Sequence, residues 1–511
     1  MRRSLLLLAA CAAALAACGD AGQAPLAAGA PDIPITSSDR IYASCQTSNA
    51  VSVIDPAAGK LLGVIPLGDP LPAALGATYV KEALVHGLGY APNGKTLAAV
   101  CVSSNAVVFI DTATNTVKAR TYVGRAPHEA FWTPDGREVW VSVRGLDYIQ
   151  VLDGKTYKPT SRITVPKAPG MTIFSPDGRY AFVCSSGAAA GGAASPDTVV
   201  IDTASKATVG RVRQGSAFCP NIAATPDGKQ VWFTLKDSGR VQVISAQPPF
   251  ATIATLDVGP ITNHVNFAST AAGGQRAYVS VGGTGSVQVW STGAAPKRLA
   301  VVEGVGANPH GVWPSGDGSR VYVALQGGNQ IAVIDTATST LLGRIPAGGQ
   351  GPMALVYVPG AAPPPPGGGA ARKSGLAPPP GEAEVGALFL DLDALKAKDG
   401  GASEDTAPAG RVTVNRQGFL DALEATITGL CPGGSYVLAL APAPGGGGGA
   451  EALEPIAGFK ANADGAAAAA TVGPLRRALG GGAGGARRYL VVADYEGGRV
   501  GAVIQAQRVS R

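Results

Sequence analysis

The four histidines of this 511-residue chain, His86, His128, His264 and His310, stand at one position of an internal repeat. His86, His128 and His310 each lie seven residues before the middle residue of a turn, namely Asn93, Asp135 and Asp317. His264 keeps that spacing to Ala271 in a degenerate copy. Imidazole is the commonest protein metal ligand and a general acid or base near neutral pH. Side chains held at one repeat position come together when the repeats close into a circle. Such a group could bind a ligand, ligate a metal or haem, or move a proton. The alternative is a packing role inherited as the repeat duplicated.

A period of roughly 40 to 50 residues denotes a solenoid or a propeller. The unit reads Pro127-His128-Glu129-Ala130-Phe131-Trp132-Thr133-Pro134-Asp135-Gly136, followed by β-branched runs over 139–143, 148–152 and 160–165. Pro-Asp-Gly is turn chemistry, because Pro presets φ and Gly accepts a positive φ. The second strand of the unit recurs from near Ile41, Leu97, Val139, Ala181, Val231, Ala277 and Val321. The first strand is missing before Ile41 and follows the last copy instead, as Pro352 to Val358. The reading is all-β: residues 40–358 form a seven-bladed β-propeller whose C-terminal strand closes the first blade, which removes free sheet edges.

First strands line a propeller's channel. Their starting residues, in ring order, are His264, His310, Met353, His86, His128, Gly170 and Pro220 or Asn221. Imidazole with thioether suits copper or a haem iron better than magnesium or calcium. The long insertions 68–85 and 187–196 open on the same face, with Tyr79, Lys81, Glu82 and Arg125 as polar groups. Long loops on one face usually carry binding. The chain has no Gly-x-Ser-x-Gly elbow, His-Glu-x-x-His or P-loop. His128-Glu129 is a lone acid-base pair.

The stretch from Ile41 to Asp55, the Ile-Asp-Thr-Ala-Thr at 110–114 and 334–338, and the Pro-His…Pro-Asp-Gly pattern resemble the YVTN-repeat family of seven-bladed propellers. The resemblance covers residues 40–358 and implies the fold, not a reaction. It also implies that Pro-His-Gly belongs to the repeat, with the histidine bonding between blades. Similar architectures include surface and periplasmic binding proteins, lactonases and the haem domain of cytochrome cd-type nitrite reductase. Nitrous oxide reductase is similar in placing histidines at this mouth to hold copper.

Arg2 and Arg3 precede an apolar stretch, Leu5 to Ala17, too short to span a bilayer. Leu15-Ala16-Ala17-Cys18-Gly19 resembles a lipobox, which implies cleavage before Cys18 and its lipidation. Asp20 resembles an inner-membrane retention signal. The expected organisation is a signal peptide (1–17), a lipidated tether (18–39), the propeller (40–358), a Pro/Gly-rich linker (359–383) and a small β-sandwich-like domain (384–511). Cys45, Cys101, Cys184, Cys219 and Cys431 remain after processing, with Cys184 and Cys219 a candidate disulfide in an oxidising compartment. A net charge of +6 falls to about +4 without Arg2 and Arg3, and no basic run suggests nucleic acid. The expected protein is an extracytoplasmic lipoprotein, tethered on the periplasmic side of a bacterial membrane through Cys18. It serves as a non-catalytic scaffold for a small ligand or a protein. A copper- or haem-binding redox or assembly protein and a lactonase-type hydrolase are the alternatives.

Overall fold

The computed structural model describes residues 35–68, 84–166, 168–186, 197–269, 274–363, 374–379, 387–395, 409–417, 420–446, 449–480 and 487–509. The signal-like segment, Cys18, Tyr79, Lys81, Glu82 and the insertion 187–196 lie outside the described residues.

Seven four-stranded antiparallel sheets form the propeller. Pro352–Val358 is the inner strand of blade one and pairs with Arg40–Cys45, Ile41 opposite Tyr357. The other inner strands are Val85–Tyr90, Pro127–Trp132, Pro169–Phe174, Ile222–Ala224, Thr262–Ser269 and Pro309–Pro314, each packed on the next around the channel.

Blades stack face to face, so their middle strands are buried on both sides. Arg40–Cys45 and Thr96–Cys101 expose nothing, whereas the outer strand Thr116–Tyr122 is largely exposed. Tyr42, Val51 and Val53 of blade one pack against Leu97, Ala99 and Val108 of blade two. Burying one such side chain contributes roughly 1.5–3 kcal/mol, so stability is concentrated in the middle strands. The turns repeat as well. Asp135 Oδ1 accepts hydrogen bonds from the Thr133 hydroxyl (2.6 Å) and the Arg137 amide (3.0 Å), and Gly136 takes φ +72°. Asp177, Asp227 and Asp317 do the same with Ser175, Thr225 and Ser315.

The C-terminal β domain is one eight-stranded sheet. Its order is Glu454–Lys460, Ser435–Ala441, Tyr489–Glu496, Arg499–Gln507, Ala387–Ala394, Gly410–Gln417, Leu420–Ile427, Ala467–Gly473. The two edge strands lie against each other, so the sheet curls into a nearly closed barrel. Its wall wraps a core that includes Leu423, Leu438, Leu490 and Val492, joined by Leu475 and Leu479 of the helix Leu475–Gly480, and a second, smaller cluster includes Val437, Val491 and Ala493. Sequence periodicity identifies the strands but cannot separate two facing layers from one curled sheet.

The described part of the linker is tied down. Val64 and Ala377 exchange two backbone hydrogen bonds, and Asn115 Nδ2 donates to the Ser374 carbonyl at 2.8 Å. Cys184 and Cys219 form a disulfide with Cα atoms 6.0 Å apart. Cys45 and Cys101 are buried free thiols, and Cys431 is exposed. Among the described residues no helix is long and apolar enough to cross a membrane.

Candidate functional site

The histidines owe their placement to a device built into the repeat. The residue two before His86, His128 and His310 takes a positive φ, at Leu84 (51°), Ala126 (50°) and Asn308 (46°). That kink turns the chain into the inner strand. Asparagines of the preceding blade hold it. Asn49 Oδ1 accepts from the Leu84 amide at 2.6 Å and Asn105 Oδ1 from the Ala126 amide at 2.9 Å. Asn329 Oδ1 accepts from Gly351 at 2.9 Å, two residues before Met353. Ser280 supplies a second clamp: its hydroxyl receives the His264 amide at 3.0 Å and donates to the His310 carbonyl at 2.5 Å.

The histidines meet in two pairs. The rings of His86 and His128 are 4.2 Å apart between centroids, and those of His264 and His310 are 4.5 Å apart. All four are more than nine-tenths buried, at 6%, 3%, 6% and 3% exposure in chain order. Glu129 joins the first pair. Its Oε1 lies 3.7 Å from His86 Nδ1 and 3.9 Å from His128 Nδ1. Among the described residues, His86, His128 and Glu129 form a group whose ligand atoms all lie within 4.8 Å of one another. Met353 behaves differently. Its carbonyl lies 3.1 Å from His310 Nδ1, and it lines the space beneath the C-terminal sheet. Gly170 and Asn221 occupy the remaining blades. Arg125, expected as a binding group, bonds the Gly145 carbonyl at 2.6 Å.

Burial sets the charge of this region. It pushes His86 and His264 down to about 3, with Lys236 adding to the effect. His128 and His310 are likewise held well below the usual imidazole range by burial and by their neighbouring imidazoles. Burial pushes the Glu129 carboxyl up to about 8, opposed by the Arg144 guanidinium. At neutral pH the imidazoles are therefore neutral. Three of their nitrogens are fully buried without a hydrogen-bond partner: Nδ1 of His86, Nδ1 of His128 and Nε2 of His264.

The histidine mouth is covered by the chain's own C-terminal sheet. Glu424 reaches the Thr47 hydroxyl at 3.5 Å and Gln326 Nε2 at 3.3 Å. Asn329 Nδ2 donates to Asn415 Oδ1 at 2.9 Å, Gln350 Nε2 to the Arg416 carbonyl at 3.2 Å, and the Thr413 hydroxyl to the Gly327 carbonyl. Beneath the sheet, burial pushes Glu424 up to about 7, while Lys236 is pushed down to about 8. The channel reaches solvent at its other end. A cavity of about 290 Å³ runs from the exposed Pro134 and Pro176 of the turns, past Phe131, Phe174 and Trp313, to Glu129 and His264.

Arg144, Lys236, Glu424 and the three asparagines surround the candidate site and are not revealed by the repeat pattern of histidines. A signal for two of them exists. Arg144 and Lys236 each directly follow a second strand, Glu138–Val143 and Gln230–Leu235, and so share one repeat position.

A family model described as a YNCE-like β-propeller matches residues 94–358, more than half of the chain. The chain belongs to this family. Among solved structures the protein is similar to one from Desulfotomaculum acetoxidans described as functionally unknown (13% identity, 62% of this chain, 98% of that chain, TM-score 0.52). It is also similar to the hydrazine synthase of Kuenenia stuttgartiensis (20% identity, 56% of this chain, 93% of that chain, TM-score 0.49). The periplasmic gluconolactonase PpgL of Pseudomonas aeruginosa is similar too (16% identity, 63% of this chain, 99% of that chain, TM-score 0.48). At these identities the likeness is one of fold. No curated protein matches the chain in sequence.

Proposed function

We propose that this YNCE-like propeller is an extracytoplasmic binding scaffold of the YVTN-repeat type that holds a small ligand in its channel without turning it over. The observation that carries the reading is the channel cavity, apolar along its wall and ending on Glu129 and His264. Two asparagines on the wall are already engaged: Asn221 accepts from the Val265 amide, and Asn266 donates to the Val312 carbonyl. The polar groups left for a ligand cluster at the inner end. An apolar or aromatic body with one hydrogen-bonding end fits such a site. The ligand enters from the turn face, because the C-terminal sheet lies over the other mouth. Anchoring to the periplasmic side of a bacterial membrane through lipid on Cys18, with the inner membrane favoured by Asp20, rests on the Leu15–Gly19 motif.

Ala224 lines the cavity, so Ala224→Trp fills it. Ligand-detected NMR on the full chain against small aromatic acids and alcohols should find binders that Ala224→Trp no longer holds. Equal binding by the variant would exclude the channel. Glu129 beside two histidines at the cavity's end favours a lactonase-type hydrolysis as the second reading, and turnover of a lactone panel, lost in Glu129→Gln, is its test. Copper or haem on the His/Met ring has less support. Met353 meets His310 through its backbone carbonyl, and the imidazoles already pack against one another in two pairs.

A further inference from the structure

We infer that His86, His128 and Glu129 form a site for one divalent first-row transition metal of the borderline class, zinc or iron(II) in kind, with open positions facing the channel. The donor set is the first argument. Two imidazoles and one carboxylate are the ligands of catalytic zinc sites and of facial iron(II) sites that keep open positions. Magnesium and calcium prefer an all-oxygen set.

Geometry is the second argument. Three atoms within 4.8 Å of one another share a point no more than about 2.8 Å from each, and bonds of about 2.0–2.2 Å then need only small side-chain movements. The third is unmet bonding. Nδ1 of His86 and Nδ1 of His128 are buried without a hydrogen-bond partner, and both lie nearest the same carboxylate oxygen. Buried polar atoms are normally paired, so two orphans facing one carboxylate mark a missing partner.

The backbone makes room for this arrangement. A Cβ on Gly87 would overlap Glu129 Oε2 and the His128 carbonyl, so glycine at 87 lets the blade-three carboxylate reach the blade-two histidine. The asparagine clamps on Leu84 and Ala126 fix both histidine backbones before any ion arrives. Glu129 also lines the channel cavity, which gives an ion its route and a fourth ligand its place.

The test uses the full chain, stripped with a chelator and titrated with Co²⁺ by visible absorption, then with Zn²⁺, with bound metal counted by mass spectrometry after gel filtration. One Co²⁺ per chain with a visible d–d band, displaced by one Zn²⁺, is expected. His86→Gln, His128→Gln and Glu129→Gln should each weaken Co²⁺ binding by at least about 100-fold, since even partners behind a ligand cost 10–100-fold. His310→Gln and Cys431→Ser should titrate as wild type. No stoichiometric uptake by the stripped wild type overturns the site, as does uptake that survives Glu129→Gln or that is lost in His310→Gln. Metal-free melting curves show which variants fold; Glu129→Gln keeps the shape of a protonated carboxyl and decides the matter if a histidine variant does not. No organic ligand is present in the titration, so a failure here leaves channel binding standing, and the reverse holds too.

Discussion

At one end of the channel the inner strands carry His86, His128, His264, His310 and Met353 near their starts, under the C-terminal sheet. At the other end strands of the same set carry Phe131, Phe174 and Trp313 at or next to their last residues, beside turns whose prolines are exposed. One repeat built both ends, so the difference comes from position along a strand and from what lies on top. Neutral, closely packed imidazoles persist where water is kept out. The end reached by solvent is walled with aromatic and apolar groups and suits admission of a ligand. Chemistry and access are thus separated by the length of one short strand.

The largest effect should erase the comparison altogether. Val356 is fully buried on the closing strand that runs between the two ends. Val356→Asp puts an unpaired charge there and should cost about 4 kcal/mol or more in chemical denaturation, with both ends failing together. Loss of one end alone would mean that they are separate units.

Next in size is the disulfide, on the side of the ring without histidines. Cys184 and Cys219 are 35 residues apart in sequence. Replacing both by Ser should lower stability by roughly 2–4 kcal/mol. The histidine NMR signals should stay in place, and a shift in them would show that the two halves of the ring are coupled.

A smaller effect addresses the cover. Glu424→Lys sets a second cation beside Lys236 and should loosen the sheet by roughly 1–2 kcal/mol. Hydrogen exchange should quicken at Thr47 and Gly327, which touch the sheet, and stay unchanged at Gly136 and Gly178 in the turns. Faster exchange at both ends would break the distinction between them.

The mildest effect is a pH profile. His86 and His264 fall from 6.5 to about 3 on folding, so the unfolded chain binds more protons in that window and stability rises with pH up to 6.5. Glu129 and Glu424 rise from 4.5 to about 8 and about 7, so the folded chain binds more protons and stability falls across that range. With four lowered imidazoles against two raised carboxyls, the melting temperature should climb to near pH 6.5 and then decline gently to pH 8. Glu129→Gln with Glu424→Gln should remove the decline and leave the climb. A decline that persists would place the responsible groups elsewhere.

Repetition made much of the fold readable. Each Pro-Asp-Gly turn, each β-branched third strand and the displaced copy at Pro352–Val358 is visible as a pattern, because each blade solves the same packing problem with similar residues. The β character of residues 384–511 was also readable, though not the curl of its one sheet. The cover was not. Glu424 meets Thr47 across 377 residues, and nothing periodic links the two segments. The pairing of His86 with His128 around Glu129 was half visible: ring order placed the histidines side by side, but the carboxylate's approach depends on the space left at Gly87.

By itself the sequence determined the all-β class, the number of blades, the strand that closes the ring and the ring of histidines, since these follow from local turn chemistry and strand periodicity repeated along the chain. Only the tertiary structure decided that the histidines form two buried pairs, that Glu129 stands beside one pair, and that the C-terminal sheet covers their mouth. Those facts depend on how surfaces from distant parts of the chain fit, on the burial that results, and on the shift in charge that burial imposes.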